Sequence, residues 1–182
     1  MPNWCDNQLS ITGPNSVIDK IEKIVKEESN NAENGLLQFF HPMPKELLDT
    51  EAGPIAKTKA EKNARQARKL EFGAENWYDW RVNNWGTKWE VCEFYGVDRQ
   101  HLNDSLDEST ISFSTQSAWA PPLNALDHFI SENPEVGIHC TYYEPGCDFM
   151  GIWDNGDDQC WTISDTAPKS DDPWWNTPEG IT

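Results

Sequence analysis

The sequence is poor in basic residues. It holds 14 lysines and arginines against 31 aspartates and glutamates in 182 residues, a net charge of −17. Because proteins bind the phosphate backbone chiefly through lysine and arginine, this balance argues against nucleic-acid binding through most of the surface. Strong acidity keeps two interpretations open. It maintains solubility, or it imitates the charge of DNA and occupies the basic groove of another protein.

Long apolar runs and a secretory leader are also missing. No stretch approaches the roughly 20 apolar residues that a membrane helix needs, and the chain opens "MPNWC" without a basic, apolar leader. We therefore expect no membrane partner and a cytoplasmic location, where the five cysteines stay reduced.

Signatures of common catalytic sites are absent from the sequence. It contains no Gly-rich phosphate loop, no G-x-S-x-G turn and no H-E-x-x-H helix. His41, His101 and His128 stand alone and are interpreted as surface or capping residues. We expect no catalytic residue and no cofactor.

A metal site is not expected either. His139 and Cys140 are adjacent in a predicted strand and point to opposite faces, so they cannot easily share one ion. Cys147 and Cys160 complete no zinc spacing. The "DNGDD" run at 154–158 lacks the ligand spacing of a calcium loop and is typical of a hairpin turn.

Apolar periodicity predicts an α+β domain over residues 1–165. The first part shows an alternating strand at 4–13, a helix from about 15 to 29, and the apolar run "LLQFF" at 36–40, which we interpret as a central strand. These three elements predict a β-α-β unit.

A second unit follows after about residue 109. An alternating strand at 109–119, a helix after Pro122, a strand at 136–144 and a hairpin around Asn155-Gly156 are predicted. Two β-α-β units predict a ferredoxin-like split β-α-β sheet, antiparallel, with both helices on one face and an added C-terminal β-hairpin.

The intervening residues, about 42–106, are predicted to be a Trp-rich helical insertion. A polar helix is expected at 56–72, followed by a short helix that ends at Gly86. A minor strand around Trp89 and Val91 and a polar connection at 98–109 complete it.

Several long motifs resemble those of the YubB-like family. They are "MPNWCDNQLSITG", "FHPMP", "NWYDWRVNNWGTKWE", "FSTQSAWAPP" and "YYEPGCDFMG", and together they span roughly residues 1–165. The family consists of ferredoxin-fold proteins found largely in bacteriophages, plasmids and related mobile elements. The resemblance implies that fold and a bacterial host cell, and it transfers no catalytic mechanism.

The segment at 76–90 carries four tryptophans, a tyrosine and an arginine. Large rings that bury about 200 Å² each could hold the insertion to the sheet, and we favour this scaffold interpretation. A ligand platform built from Trp77, Trp80, Arg81 and Lys88 and an exposed hot spot for a partner stay open.

The helix at 56–70 is the one basic segment. It contains six of the fourteen basic residues and a single glutamate, with Lys62 and Arg65 on one side. A solvated helix attracted to the acidic remainder is the plainer interpretation, and nucleic acid, if bound at all, is expected here.

The last residues, 166–182, read as an acidic, mobile tail. Trp174 and Trp175 lie there among aspartates and prolines. Three interpretations stay open. The segment folds back on its own domain, it docks on a partner, or it is a tail without a function.

The charge, the motifs and the family resemblance together predict a non-catalytic accessory protein that binds a host protein, such as a component of a bacterial anti-phage defence. The alternative is a protein that sequesters a nucleotide or another small molecule. The oligomeric state is not indicated.

Overall fold

The computed structural model describes residues 3–27, 34–53, 58–103 and 107–166. Six strands, six α-helices and one short 3-10 helix (Lys45–Leu47) are present in these ranges. The strands are β1 (Trp4–Pro14), β2 (Cys92–Asn103), β3 (Glu108–Ala118), β4 (Gly137–Glu144), β5 (Phe149–Asp154) and β6 (Asp157–Thr162). The helices are α1 (Asn15–Lys26), α2 (Leu36–Phe40), α3 (Lys59–Phe72), α4 (Trp77–Trp85), α5 (Leu123–Glu132) and α6 (Ile163–Thr166).

All six strands form one antiparallel sheet in the order β2-β3-β1-β4-β5-β6. β1 lies inside it, paired with β3 from Trp4↔Ala118 to Pro14↔Glu108 and with β4 on its other side. The α+β class predicted from the sequence is therefore confirmed.

One face of the sheet carries the core. The register places Leu9 of β1 opposite Phe113 and Cys140, and Ile11 opposite Ile111 and Ile138, and all are at most 1% exposed. The alternate residues are polar, as in the 2.8 Å hydroxyl contact between Thr12 and Thr110. This alternation is what a sheet with one buried and one wet face requires.

Helix α1 packs against β1, β2 and β3 through Ile18, Ile21 and Val25. Arg99 of β2 ties the same helix to the sheet edge, donating to Asp19 at 2.7 Å and Glu22 at 2.6 Å. Within the described ranges, no helix has the length and apolar character that a membrane crossing requires.

The prediction of a strand at Leu36–Phe40 was wrong, because this run is the short helix α2. Leu36, Leu37 and Phe40 are buried, as residues of a central strand would be. The run packs, however, against the helices α1 and α5. Phe40 packs on Phe129 of α5 with 4.6 Å between ring centroids. The first predicted β-α-β unit is consequently β1-α1-α2.

The region after α4 also differs from prediction. In place of a minor strand and a polar connection, the edge strand β2 runs along β3 over twelve residues. Its pairing shifts register between Cys92 and Tyr95 and again between Tyr95 and Asp98. These irregularities lie beside Glu93 and Gly96, whose φ angles are 57° and 65°, and they break the alternation that a regular strand shows.

Two predictions made from local sequence signals are confirmed. The hairpin at Asn155-Gly156 joins β5 to β6, and Gly86 ends α4 with a φ of 84°. The polar helix predicted at 56–72 begins at Lys59 in the structure, and residues 54–57 lie outside the described ranges.

Candidate functional site

The Trp-rich segment is shaped by caps at both ends of α4. The Asn76 side chain accepts a 3.0 Å hydrogen bond from the amide of Asp79 at the N-terminus, and the amide of Trp77 donates to the Thr50 hydroxyl at 3.0 Å. Gly86 ends the helix in the left-handed conformation, which glycine adopts without a steric penalty. A Cβ at Gly86 would also lie 3.2 Å from the Pro121 carbonyl oxygen, so this turn sits against the start of α5.

Two of the segment's indoles belong to the core. Trp85 is 0% exposed and Trp80 is 4% exposed. The Trp85 indole donates a 2.8 Å hydrogen bond to the His41 carbonyl, which satisfies its polar atom. Burying a side chain of this size contributes about 4–6 kcal/mol before the loss of conformational freedom. The scaffold interpretation therefore holds for these two residues.

Arg81 is part of the same interior. It is 8% exposed, and its guanidinium lies 5.2 Å from the Trp77 ring centroid and 4.7 Å from that of Trp85. Its Nε has no hydrogen-bond partner. Burial lowers the pKa of Arg81, and the carboxylate of Glu90 partly offsets this. Arg81 and Trp80, which the alternative ligand platform would use, are therefore enclosed.

Glu90 is a buried acid that sequence reasoning missed. It is 6% exposed, and its two carboxylate oxygens accept from the amides of Leu37 at 2.6 Å and Gln38 at 3.1 Å. The carboxylate thus satisfies the free amides at the start of α2. Burial raises the pKa of Glu90 to about 7, although these amide hydrogen bonds oppose the shift.

The remaining aromatic residues are only partly buried and surround a lysine. The Nζ of Lys88 lies 4.4 Å from the ring centroid of Trp89, 5.0 Å from that of Trp119 and 5.8 Å from that of Tyr78. These distances are within the range of cation–π attraction. We call Tyr78, Trp89 and Trp119 the aromatic cage. Trp4 extends it, with its ring centroid 6.3 Å from that of Trp89.

A cleft of about 700 Å³ opens beside the aromatic cage. We call it the cage cleft. Its walls combine rings with both signs of charge, and its lining residues are Ala52, Gly53, Arg65, Glu75, Asn76, Trp77, Tyr78, Asp79, Lys88 and Trp119. Three of the predicted site residues, Trp77, Lys88 and Arg65, therefore come together here.

Trp119 has the least favourable backbone in the site. Its φ is 71°, a conformation that is rare for bulky residues, and its side chain is 39% exposed. Its amide donates to the Asn3 carbonyl at 2.9 Å, which fixes the turn after β3. The sequence carries no distinct signal for this residue.

The basic side chains of α3 are less available to a ligand than the charge of the helix implies. Arg65 is 8% exposed, and its guanidinium donates to the Gly53 carbonyl at 2.5 Å and to Glu61 at 2.7 Å. Arg68 donates to the Glu75 carbonyl at 2.7 Å. Lys62 is exposed. Two of the three side chains therefore attach α3 to the loops on either side of it.

His41 and His128, predicted to stand alone, are in fact stacked, with ring centroids 3.6 Å apart. The five cysteines are free thiols. In the described part of the chain, no three His, Cys, Asp or Glu side chains are grouped as metal ligands. Trp174 and Trp175 lie outside the described residues.

One solved structure is a distant neighbour of this chain. No family model matches the chain, and no curated protein matches it. Among solved structures, the chain is similar to the protein api92 from Yersinia pseudotuberculosis, family model DUF1281. The two share 13% sequence identity at a TM-score of 0.43, with 89% of this chain and 98% of that chain covered.

Proposed function

We propose that the protein is a non-catalytic accessory protein that binds a host protein in the bacterial cytoplasm. The observation that carries this proposal is the partly exposed aromatic cage around Lys88, beside a cleft of about 700 Å³. Tryptophan and tyrosine are enriched among the residues that contribute most to the binding energy of protein interfaces. A phage- or plasmid-encoded inhibitor of an anti-phage defence component is the setting that the family resemblance suggests.

A ferredoxin-like core is part of the proposal. Support comes from the order β2-β3-β1-β4 within the sheet, with α1 following β1 and α5 joining β3 to β4. A split β-α-β arrangement has this chain order of strands and helices. The β5-β6 hairpin then extends the sheet, and α2, α3 and α4 are inserted between α1 and β2.

The charge of the chain favours a basic partner. A net charge of −17 attracts positively charged surfaces and raises the rate of encounter, while buried aromatic contacts supply affinity.

Affinity capture from bacterial lysate, followed by identification and purification of the bound protein, tests this function. We expect saturable binding that weakens as salt is added. The Trp119→Ala variant should lose most of it, and Leu70→Ala should keep it, because Leu70 is 80% exposed on α3 and does not line the cage cleft. Absence of a saturable partner would contradict the proposal, and saturable binding that Trp119→Ala leaves unchanged would mean that the partner binds outside the aromatic cage.

A second candidate function is sequestration of a nucleotide in the cage cleft. It is favoured by one observation: among the described residues, no carboxylate lies within 4.0 Å of the Lys88 ammonium, so this cation is available to a phosphate. The site would use Trp77, Tyr78, Lys88 and Trp119, since Trp80 and Arg81 are enclosed. Quenching of tryptophan fluorescence by a nucleotide panel tests it, and no response at millimolar nucleotide would exclude it.

A further inference from the structure

The aromatic cage holds a cation supplied by the protein itself. Three rings lie within 6 Å of the Lys88 Nζ, at 4.4, 5.0 and 5.8 Å. Aromatic rings grouped around an ammonium are the arrangement with which proteins recognise alkylammonium ligands. The ring faces of Tyr78, Trp89 and Trp119 therefore form a site whose chemistry selects for a cation.

Exposure distinguishes the aromatic cage from the core. Trp119 is 39% exposed, and its neighbour Trp4 is 37% exposed, whereas Trp85 is fully buried. A bulky residue at a φ of 71° costs roughly 1–3 kcal/mol, and the hydrogen bond from the Trp119 amide to the Asn3 carbonyl holds the turn in this conformation. Backbone outliers of this kind cluster at sites that contact a ligand, and the Trp119 ring leaves part of its surface accessible for such a contact.

The net charge of the chain also favours a cation at the cage cleft. Two acids, Glu75 and Asp79, and two bases, Arg65 and Lys88, line the cleft. Glu75 lies 3.9 Å from the Lys69 ammonium, Asp79 accepts from the Asn76 side-chain amide at 2.7 Å, and Arg65 donates to Gly53 and Glu61. The chain as a whole carries a charge of −17, so an incoming anion is repelled where an incoming cation is attracted.

We propose that the aromatic cage, formed by Tyr78, Trp89 and Trp119, is a recognition site for an alkylammonium group on a lysine side chain of a basic partner segment. Lys88 is the internal occupant that this side chain displaces. The released Lys88 moves into the cage cleft toward Glu75 and Asp79. This inference rests on the proposed binding function and adds the chemistry of the group that is recognised.

Tetramethylammonium chloride is a direct probe, because it tests the cage without a partner protein. Tryptophan fluorescence of the full chain is titrated with it, and sodium chloride at equal ionic strength serves as the reference. Lys88→Ala empties the cage, so we expect it to bind the probe at least about fivefold more tightly than the wild type, as the loss of a competing cation–π contact of about 1 kcal/mol implies. Lys88→Ala combined with Trp119→Ala should show no saturable change.

Lys88→Gln is the second variant, since it keeps the length of the side chain without its charge, and circular dichroism verifies that both variants fold. Equal titrations of the wild type and both Lys88 variants would overturn the proposal. Saturable binding of adenosine monophosphate by the wild type and its loss in Lys88→Ala would also overturn it, in favour of an anion site.

The two proposals can fail separately. Tetramethylammonium binding by Lys88→Ala without any saturable host partner would leave the cage standing and remove the proposed function. A purified partner whose affinity is insensitive to Trp119→Ala would remove the cage from the interface.

Discussion

The hydroxyl of Thr87 donates a 2.7 Å hydrogen bond to the carbonyl of Ala118. This bond connects the turn that follows α4 to the last residue of β3. Lys88 comes directly after Thr87, and Trp119 comes directly after Ala118. The bond therefore sets the distance between the lysine and one of the rings that surround it.

Thr87→Val should weaken both the fold and the aromatic cage. Thr87 is 2% exposed, so the substitution leaves the Ala118 carbonyl without its donor in a buried setting, at a cost of about 1–3 kcal/mol. Urea unfolding measures this loss. Thr87→Ser is the matched control, because it keeps the hydroxyl, and a loss as large in Thr87→Ser would show that the hydrogen bond is not the cause.

The stability of the protein should depend on pH through Glu90. Its pKa is raised from 4.5 to about 7 on folding, mainly by burial, so the folded state binds this proton more tightly than the unfolded state does. The stability contributed by the protonated form is complete below about pH 4.5 and is lost as the pH rises through about 7.

Comparison with Glu90→Gln isolates this effect from the other acids. We expect the free energy of unfolding of the wild type, minus that of the variant, to fall as the pH rises from 5 to 7. The slope can reach about 1.4 kcal/mol per pH unit. Urea unfolding at several pH values measures it, and a difference that does not vary with pH would show that Glu90 titrates alike in both states.

Gly35→Ala should be strongly destabilising. A Cβ at this position would lie 2.2 Å from the Glu90 Cδ, and Glu90 cannot move away without releasing the amides of Leu37 and Gln38. We expect a loss of about 2–3 kcal/mol, measured by urea unfolding. Gly53→Ala is the matched control, because a Cβ there meets nothing within 4 Å, and equal losses would contradict this account.

Two substitutions of Trp119 test whether its backbone is strained. Glycine adopts a φ of 71° freely, and alanine does not, so Trp119→Gly should be more stable than Trp119→Ala by about 1 kcal/mol. Thermal unfolding of the two variants measures the difference. The reverse order of stability would mean that this turn carries no strain.

Local signals in the sequence located many of the elements. Asn155-Gly156 predicts its hairpin, and Gly86 predicts the end of α4, because each residue acts on its own backbone. The run Leu36–Phe40 was misread because an apolar stretch of five residues fits a buried strand and a buried helix equally. The first amides of this helix donate to Glu90, which lies 53 residues after Leu37 in the sequence.

The candidate functional site also depends on contacts between residues that are far apart in the sequence. Trp80, Arg81 and Lys88 come from one short segment, and whether each is covered depends on α5 and on the turn after β3. Trp119 contributes to the aromatic cage only because β3 ends beside Thr87. The irregular strand β2 was missed because its bulges at Glu93 and Gly96 interrupt the alternation that predicts a strand.

The affinity of the purified host partner for Trp119→Ala, compared with the wild type and with Leu70→Ala, tests the central claim most directly. We predict that Trp119→Ala binds at least about tenfold more weakly, a change of about 1.4 kcal/mol, and that Leu70→Ala binds as the wild type does. Circular dichroism would show both variants folded. Equal affinities for all three proteins, or an equal loss in both variants, would contradict the claim that the aromatic cage is the binding surface.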